Sequence, residues 1–457
     1  MKKMMFSFVG EQDPYSEKTE EEGSVVTLCR KIRPDIVYLF PTAGGHGVRS
    51  ETQSNADLTR DWIVQSVDPN VEVFIRPMVL NDPTDFTSVI PAVRRAVDEV
   101  LSAVGMDEFE IHINCSSGTP QLKNTWLILA NGGVFSNCHL WQVANPRYAP
   151  AERVREIEIT FLEEENILTR LKQYTREFQF KQMAEESLRL KQISAYSYRR
   201  EKAALLHRLF LAYHCWDLIQ YPEAHQRLNG VLNEIRRTRD LQELTDLLER
   251  QLAVLAKLKE NRKEEGPENL VDLYYNACRR LRRNDYTDTL ARFWRLYEGL
   301  LYWRIREVFG LEPTELSRSS NPERFRQLIE FAAANPSRLN PNIQKLNLRQ
   351  AETLLAEVLK DRDYLQAVQL TVAAQRSGAP EMMKLRRLLD ELRERRNQSI
   401  VAHGMEPVNE KDAANCIAAM ETLLRYYFGE NGLMADYPFQ EGEVERVVSV
   451  LSRAFAC

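Results

Sequence analysis

Near residue 163 the hydrophobic period of the chain changes, and no single layer architecture accommodates both sides of the change. From Met4 to Val143, short runs rich in β-branched and aromatic residues alternate with amphipathic helical stretches; beyond Glu163 only helical spacing remains. The first pattern is that of a parallel sheet covered by helices, the second that of an all-α region, so the fold class is α/β followed by all-α. Strands are expected at Met4–Val9, Ile36–Phe40, Val71–Ile75, Phe109–Ile113 and Leu140–Val143, with Arg153–Phe161 as a further candidate. Helices are expected near Ser24–Ile32, Ala56–Ser66, Ser88–Ala103 and Gln121–Ala130. With 457 residues the chain is too long for one core, and a polar break at Asn261–Pro267, ending in Gly266-Pro267, divides the helical part. The expected domains are therefore 1–162, a sheet domain; 163–262, a helical linker; and 263–457, a second helical domain.

Charge narrows the function classes. A net charge of −5 argues against wholesale attraction to nucleic acid, so any RNA contact must be local. The acidic run Glu17–Glu22 and the basic cluster Arg279, Arg280, Arg282 and Arg283 read as solvated faces. Seven cysteines without a CxxC pair fit reduced thiols better than disulfides or zinc, and no signal peptide or 18-residue uncharged run is present. The expected compartment is the cytoplasm, with no membrane partner and no metal site.

Parallel crossovers gather the loops that follow the strands at one sheet edge, where open α/β sheets bind ligands. Those loops are Gly10–Asp13, Pro41–Gly47, Pro77–Asp82, Asn114–Gln121 and Ala144–Tyr148. The richest reads Asn114-Cys-Ser-Ser-Gly-Thr-Pro-Gln121. Thr119 suits a helix N-cap and Pro120 the first helical position, while Gly118 allows close backbone approach. Ser116, Ser117 and the Thr119 hydroxyl, together with N–H groups at a helix N-terminus, make a place for phosphate oxygens. Neither a Walker A loop nor a GxGxxG fingerprint is present, which disfavours a P-loop NTPase or a dehydrogenase. The candidate ligand contacts are Gly10, Gln12, Asp13, Thr42, Gly44, Gly45, His46, Ser116, Ser117, Gly118, Thr119, Gln121 and Asn145. His112, between Ile111 and Ile113, is expected to face away from the ligand as a packed residue, and His207 and His214 to be packing or surface histidines.

The stretches Phe8–Pro14, Ile36–Thr42 and above all Asn114–Gln121 resemble the CRISPR-associated Rossmann-fold (CARF) domain. That resemblance implies a Rossmann-like sheet that dimerises and binds a cyclic oligoadenylate across a two-fold axis. Some such domains also cleave their activator slowly, for which Ser117 and Thr119 would be the candidates here.

Near the C-terminus, Leu385, Leu388, Leu389 and Leu392 form a helical apolar stripe that Arg396, Ser399 and His403 continue at helical spacing, with Gly404 as the stop. On a continuous helix Arg396 and His403 would nearly eclipse, roughly 10 Å apart along the axis. Arg396-Asn397 followed by His403-Gly404 resembles the Arg-x4–6-His motif of the HEPN helical nuclease fold, and Asp285–Ile305 resembles its first long helix. The resemblance implies a homodimeric, metal-independent endoribonuclease acting on single-stranded RNA, leaving a 2′,3′-cyclic phosphate, with Arg396, Asn397 and His403 catalytic. Histidine suits general acid or base work near neutral pH, and arginine grips phosphoryl oxygens. The aromatic set Trp294, Tyr297, Tyr302 and Trp303 is expected at a dimer interface.

Together the two ends resemble a type III CRISPR ancillary ribonuclease activated by cyclic tetra- or hexa-adenylate. The rival reading is an inactive ligand-sensing interaction or regulatory module. A winged-helix factor would need a basic recognition helix followed by a β-hairpin near the C-terminus, and the sequence pattern offers neither; a metal-dependent nuclease would need clustered acidic ligands, also absent.

Overall fold

The computed structural model describes residues 2–44, 51–104, 109–135, 138–147, 152–158, 160–260, 266–429 and 432–456. The chain divides into two compact units, Met1–Glu165 and Asn166–Cys457.

The first unit is built on six strands: β1 (Lys2–Phe8), β2 (Ile36–Phe40), β3 (Glu72–Ile75), β4 (Phe109–Asn114), β5 (Cys138–Val143) and β6 (Val154–Glu156). Their spatial order is β6-β5-β4-β1-β2-β3, parallel throughout except for β6, which runs antiparallel to β5. Alternation along β1 decides what covers each face. Met4, Phe6 and Phe8 pack under α3 (Phe86–Val104) and α4 (Pro120–Asn131), against Val93, Val97, Leu122 and Trp126. Met5 and Val9 pack instead against Val25, Val26 and Cys29 of α1 (Ser24–Ile32) and Ile63 of α2 (Gln53–Ser66). The Trp126 ring stacks 4.6 Å from Phe8 at the end of β1 and fixes α4 there. The strand order reverses direction between β1 and β4, so the loops leaving those two strands splay apart and open a crevice.

The second unit is helical. Five helices come first: α5 (Thr160–Arg176), α6 (Phe180–Ile193), α7 (Ser197–Asp217), α8 (Tyr221–Ile235) and α9 (Thr245–Glu260). There follow α10 (Pro267–Arg282), α11 (Tyr286–Phe309), α12 (Pro322–Ala334), α13 (Leu348–Thr353) and α14 (Arg362–Ala367). After a hairpin of Thr371–Ala374 and Glu381–Lys384 come α15 (Leu385–Gln398), α16 (Glu410–Phe428) and α17 (Glu441–Ala456). One hydrophobic cluster runs from Ile167 to Phe455, on both sides of residue 263. No helix among the described residues is long and apolar enough to cross a membrane.

Three sequence expectations fail here. The region beyond Glu163 is not helical throughout, since Thr371–Ala374 and Glu381–Lys384 form an antiparallel hairpin, strands too short for alternation to stand out against the helical spacing around them. The arginine run on α10 is not a solvated face: Arg279 and Arg280 are buried and close, with Arg283, on the fully buried Asp217 at the end of α7. Only Arg282 of the four stays at the surface, paired with Glu441. The aromatic set of α11 is core, with Trp294, Tyr297 and Tyr302 buried within the chain and Trp303 packed 4.8 Å from Phe428.

Candidate functional site

At the crevice between β1 and β4 lies a cavity of about 480 Å³. Its wall includes Gly10, Gln12, Asp13, Thr42, Ser116, Ser117, Gly118, Thr119 and Asn145 of the residues expected from sequence. Gly44 and Gln121 are not part of that wall. Gly44 is packed against the Glu51 side chain instead. Gly45 and His46 lie outside the described residues.

The loop before α4 holds its shape through its own side chains. Thr119 caps the helix, accepting from Leu122 N at 3.3 Å while its hydroxyl donates to Pro83 O at 2.7 Å. Ser116 Oγ accepts from Val143 N at 2.6 Å, tying the loop to β5. Asn114 donates to Ser7 Oγ and Ser24 Oγ, and its carbonyl oxygen accepts from Ser116 N at 2.9 Å. Gly118 has φ of +93°, which a side-chain-bearing residue adopts only with strain. The hydroxyls expected to meet phosphate are thus already engaged within the fold. The first α4 turn has few N–H groups to spare, since Pro120 has none and Leu122 N and Lys123 N donate to Thr119 Oγ1 and Thr119 O; what remains to attract an anion is the positive end of the helix and the Lys123 side chain.

Asp13 is a tie rather than a rim residue. Its carboxylate accepts from Gly10 N at 3.0 Å, Val25 N at 3.1 Å and Ser117 Oγ at 2.6 Å, joining the β1 loop, the α1 N-terminus and the α4 loop. Burial pushes its pKa up, and the three donors with nearby Lys123 offset part of the rise. The sequence reading missed Lys123, one turn into α4, and Ser24 and Gly23 at the start of α1, which bring a second helix N-terminus to the cavity. It also missed Arg153, which bonds Glu21 and the Glu22 carbonyl at the same wall. A lysine four residues past a well-capped helix start was the available signal for Lys123; Arg153 had none. His112 faces away, as expected: it is buried, accepts from Trp141 Nε1 at 3.0 Å and stacks on His139. Burial holds its pKa down at about 4.

The second site centres on the end of α15. The helix does not continue to His403. It ends at Gln398, and Ser399 is extended with φ −96° and ψ 168°. The Ser399 hydroxyl donates to Arg396 O at 2.9 Å and accepts from Val401 N at 3.3 Å, offering the backbone an alternative to the helix. The β-branched pair Ile400-Val401 favours the break. His403 is therefore an exposed residue of a turn, not the next member of the Arg396 stripe. That turn folds back tightly: Gly404 N donates to Ser399 O and Glu406 N to Gln398 O at 2.8 Å.

Arg396 and Asn397 line a cavity of about 560 Å³ with Trp294, Arg295 and Glu298 of α11, Asn347 and Arg349 at the start of α13, and Arg393. Arg393 is held by both oxygens of Glu352, and Arg395 by Glu406 and Asp412. Arg396 has no carboxylate within ion-pair distance among the described residues. Its guanidinium lies 5.6 Å from the centre of the Trp294 ring. A cation in a cavity wall with its charge unspent suits a phosphodiester. No group of three or more His, Cys, Asp or Glu among the described residues is placed to hold a metal ion.

A family model for the Csm6 HEPN domain matches residues 258–426, the stretch that carries α10 to α16 and the Arg396 cavity. These residues are similar to the Csm6 HEPN domain. The whole chain superposes on Enterococcus italicus Csm6 bound to cyclic hexa-2'-fluoro-hexa-dAMP, with a TM-score of 0.59 at 16% identity, covering 99% of this chain and 100% of that one. At that identity the likeness is one of fold: a mostly parallel sheet unit followed by a helical unit, as in that Csm6. No curated protein matches the chain by sequence. Within residues 258–426 the Arg-x6-His pair brackets the end of α15, arginine in its last turn and histidine in the turn beyond.

Proposed function

We propose that the chain is a ribonuclease of type III CRISPR antiviral defence, switched on by a cyclic oligoadenylate bound at the β1/β4 crevice. The observation that carries the reading is the unpaired Arg396 in a cavity of the stretch similar to the Csm6 HEPN domain, with Asn397 beside it and His403 in the adjoining turn. In the proposed reaction the ribose 2′-OH attacks the neighbouring phosphorus and the bond to the 5′-oxygen breaks, giving a 2′,3′-cyclic phosphate and a 5′-OH. His403 moves the proton, Arg396 binds the phosphoryl oxygens as charge builds, and Asn397 orients one or the other. No step calls for a metal.

The sensor half of the proposal rests on the anion-friendly cavity, with two helix N-termini and Lys123 at its wall. The solved Csm6 with a cyclic hexanucleotide analogue supports a ring as the guest. A ring with rotational symmetry fits a site made by two copies, and a homodimer likewise brings two Arg396/His403 pairs together. In this scheme residues 163–262 link the sensor to the nuclease domain 263–457 within a cytoplasmic homodimer. Slow cleavage of the activator, with Ser117 or Thr119 near the scissile phosphate, is part of the same proposal.

The test is cleavage of a fluorogenic single-stranded RNA by the purified protein in EDTA, with cyclic tetra- or hexa-adenylate added in turn. Activity that requires one ring and disappears in His403→Ala is the expected result. Absence of cleavage with either ring would leave only the interaction-module reading, and ring-dependent cleavage surviving His403→Ala would remove His403 from the mechanism.

A further inference from the structure

Arginine held by a carboxylate is fixed but neutralised; arginine left free keeps its charge but loses side-chain entropy when it must be fixed. Arg396 meets neither description. Its guanidinium lies over the indole of Trp294, at 5.6 Å from the ring centre, and a ring face steadies a cation without consuming its charge or its N–H donors.

The ring is itself immobile. Trp294 is 4% exposed and meets Phe293 and Tyr297 edge to face, at 4.9 and 6.0 Å. Tyr297 donates to Glu352 at 2.9 Å, Glu352 holds Arg393 through both oxygens, and Arg393 lies 5.7 Å from the same indole. Two bare cations on one ring would repel, and Glu352 removes that conflict by neutralising Arg393 alone. The indole Nε1 and Arg396 Nε are both buried with no hydrogen-bond partner among the described residues.

We infer that Trp294 is the positioning residue for Arg396, holding its guanidinium in the cavity wall with its charge and donors unspent until a phosphodiester arrives. The inference rests on the reading of Arg396 as the phosphate-binding group.

The experiment uses the full-length, ring-activated protein with fluorogenic RNA. Trp294→Phe keeps a weaker face and most of the volume, and is expected to retain kcat within about threefold; Trp294→Leu is expected to lower kcat about tenfold or more, with KM changing less than about twofold. A residue that merely fills space would not govern chemical rescue, so guanidinium ion is added at non-denaturing concentration. It is expected to restore part of the activity of Arg396→Ala, and not of Arg396→Ala/Trp294→Leu. Full kcat in Trp294→Leu beside an inactive Arg396→Ala overturns the inference and leaves the site reading standing; an active Arg396→Ala overturns both. If a lost melting transition shows that leucine is not tolerated, Arg396→Ala/Trp294→Met, which keeps bulk without a ring face, decides. Rescue there as strong as in Arg396→Ala overturns the inference, and weaker rescue supports it.

Discussion

Arg396 differs from the two arginines nearest to it on α15 in having no carboxylate partner among the described residues, and that difference could not be read from a run of Arg-Glu-Arg-Arg. The motif spacing was legible; the geometry was not. Treating Ser399 as one more residue of the apolar stripe placed His403 on the helix, whereas its hydroxyl and the β-branched Ile400-Val401 end the helix five residues early. Gly404 takes on a different meaning in consequence. It is not a helix stop but the point where the turn passes the Gln398 carbonyl, and a Cβ there would sit 1.8 Å from that oxygen. Gly404→Ala must push the turn outward and displace His403. RNA cleavage is expected to fall at least about tenfold while the melting temperature moves by only a few degrees, because the turn buries little. Wild-type activity in this variant would show that the position of the turn is immaterial to cleavage.

Between elements, the strongest polar junction is the one that composition misjudged. On a helical wheel Arg279, Arg283 and Arg280 fall within an arc of about 100°, with Arg282 about 60° outside it, so phase separates the three buried residues from the exposed one. The sequence does not reveal that Asp217, more than sixty residues earlier, is there to receive them. Burial acts to raise the Asp217 pKa, but the three guanidiniums outweigh it and hold the carboxyl below its usual range. Removing the carboxylate strands buried cations, so Asp217→Ala is expected to cost about 3–5 kcal/mol in a denaturant titration. A loss below about 1 kcal/mol would mean that water reaches the cluster. Because the folded pKa is depressed, the stabilisation is complete above the ordinary carboxylate pKa and disappears as pH falls through the folded value. The difference between wild type and variant should therefore persist at pH 5 and shrink only in stronger acid.

For the molecule as a whole, the strands of the six-stranded sheet and the helices covering it were legible to within about five residues, since alternation and helical period are local signals; the short paired strands Thr42–Gly44 and Met78–Leu80, read as loops, were not. The order β6-β5-β4-β1-β2-β3 was not, because pairing partners are distant in sequence; the sheet edge that carries the cavity still emerged through the handedness of crossovers. If the crevice binds the ring, saturating ligand must stabilise the sensor by mass action, about 2.7 kcal/mol at a hundredfold excess over Kd. A rise in melting temperature with the activating ring, equal in wild type and His403→Ala, is expected; no shift with either ring would place the activator elsewhere.

The continuity of the helical core bears on how such a protein can be rearranged. Leucines of α7 to α9 share one apolar cluster with Phe439, Val447 and Phe455, and the buried Gln251 on α9 donates to Pro438 O at 2.9 Å. A cut at the polar break before α10 would strip both pieces of their packing. The interchangeable part is thus everything after residue 165, and a chimera that gives this sensor a new effector has to make its join there.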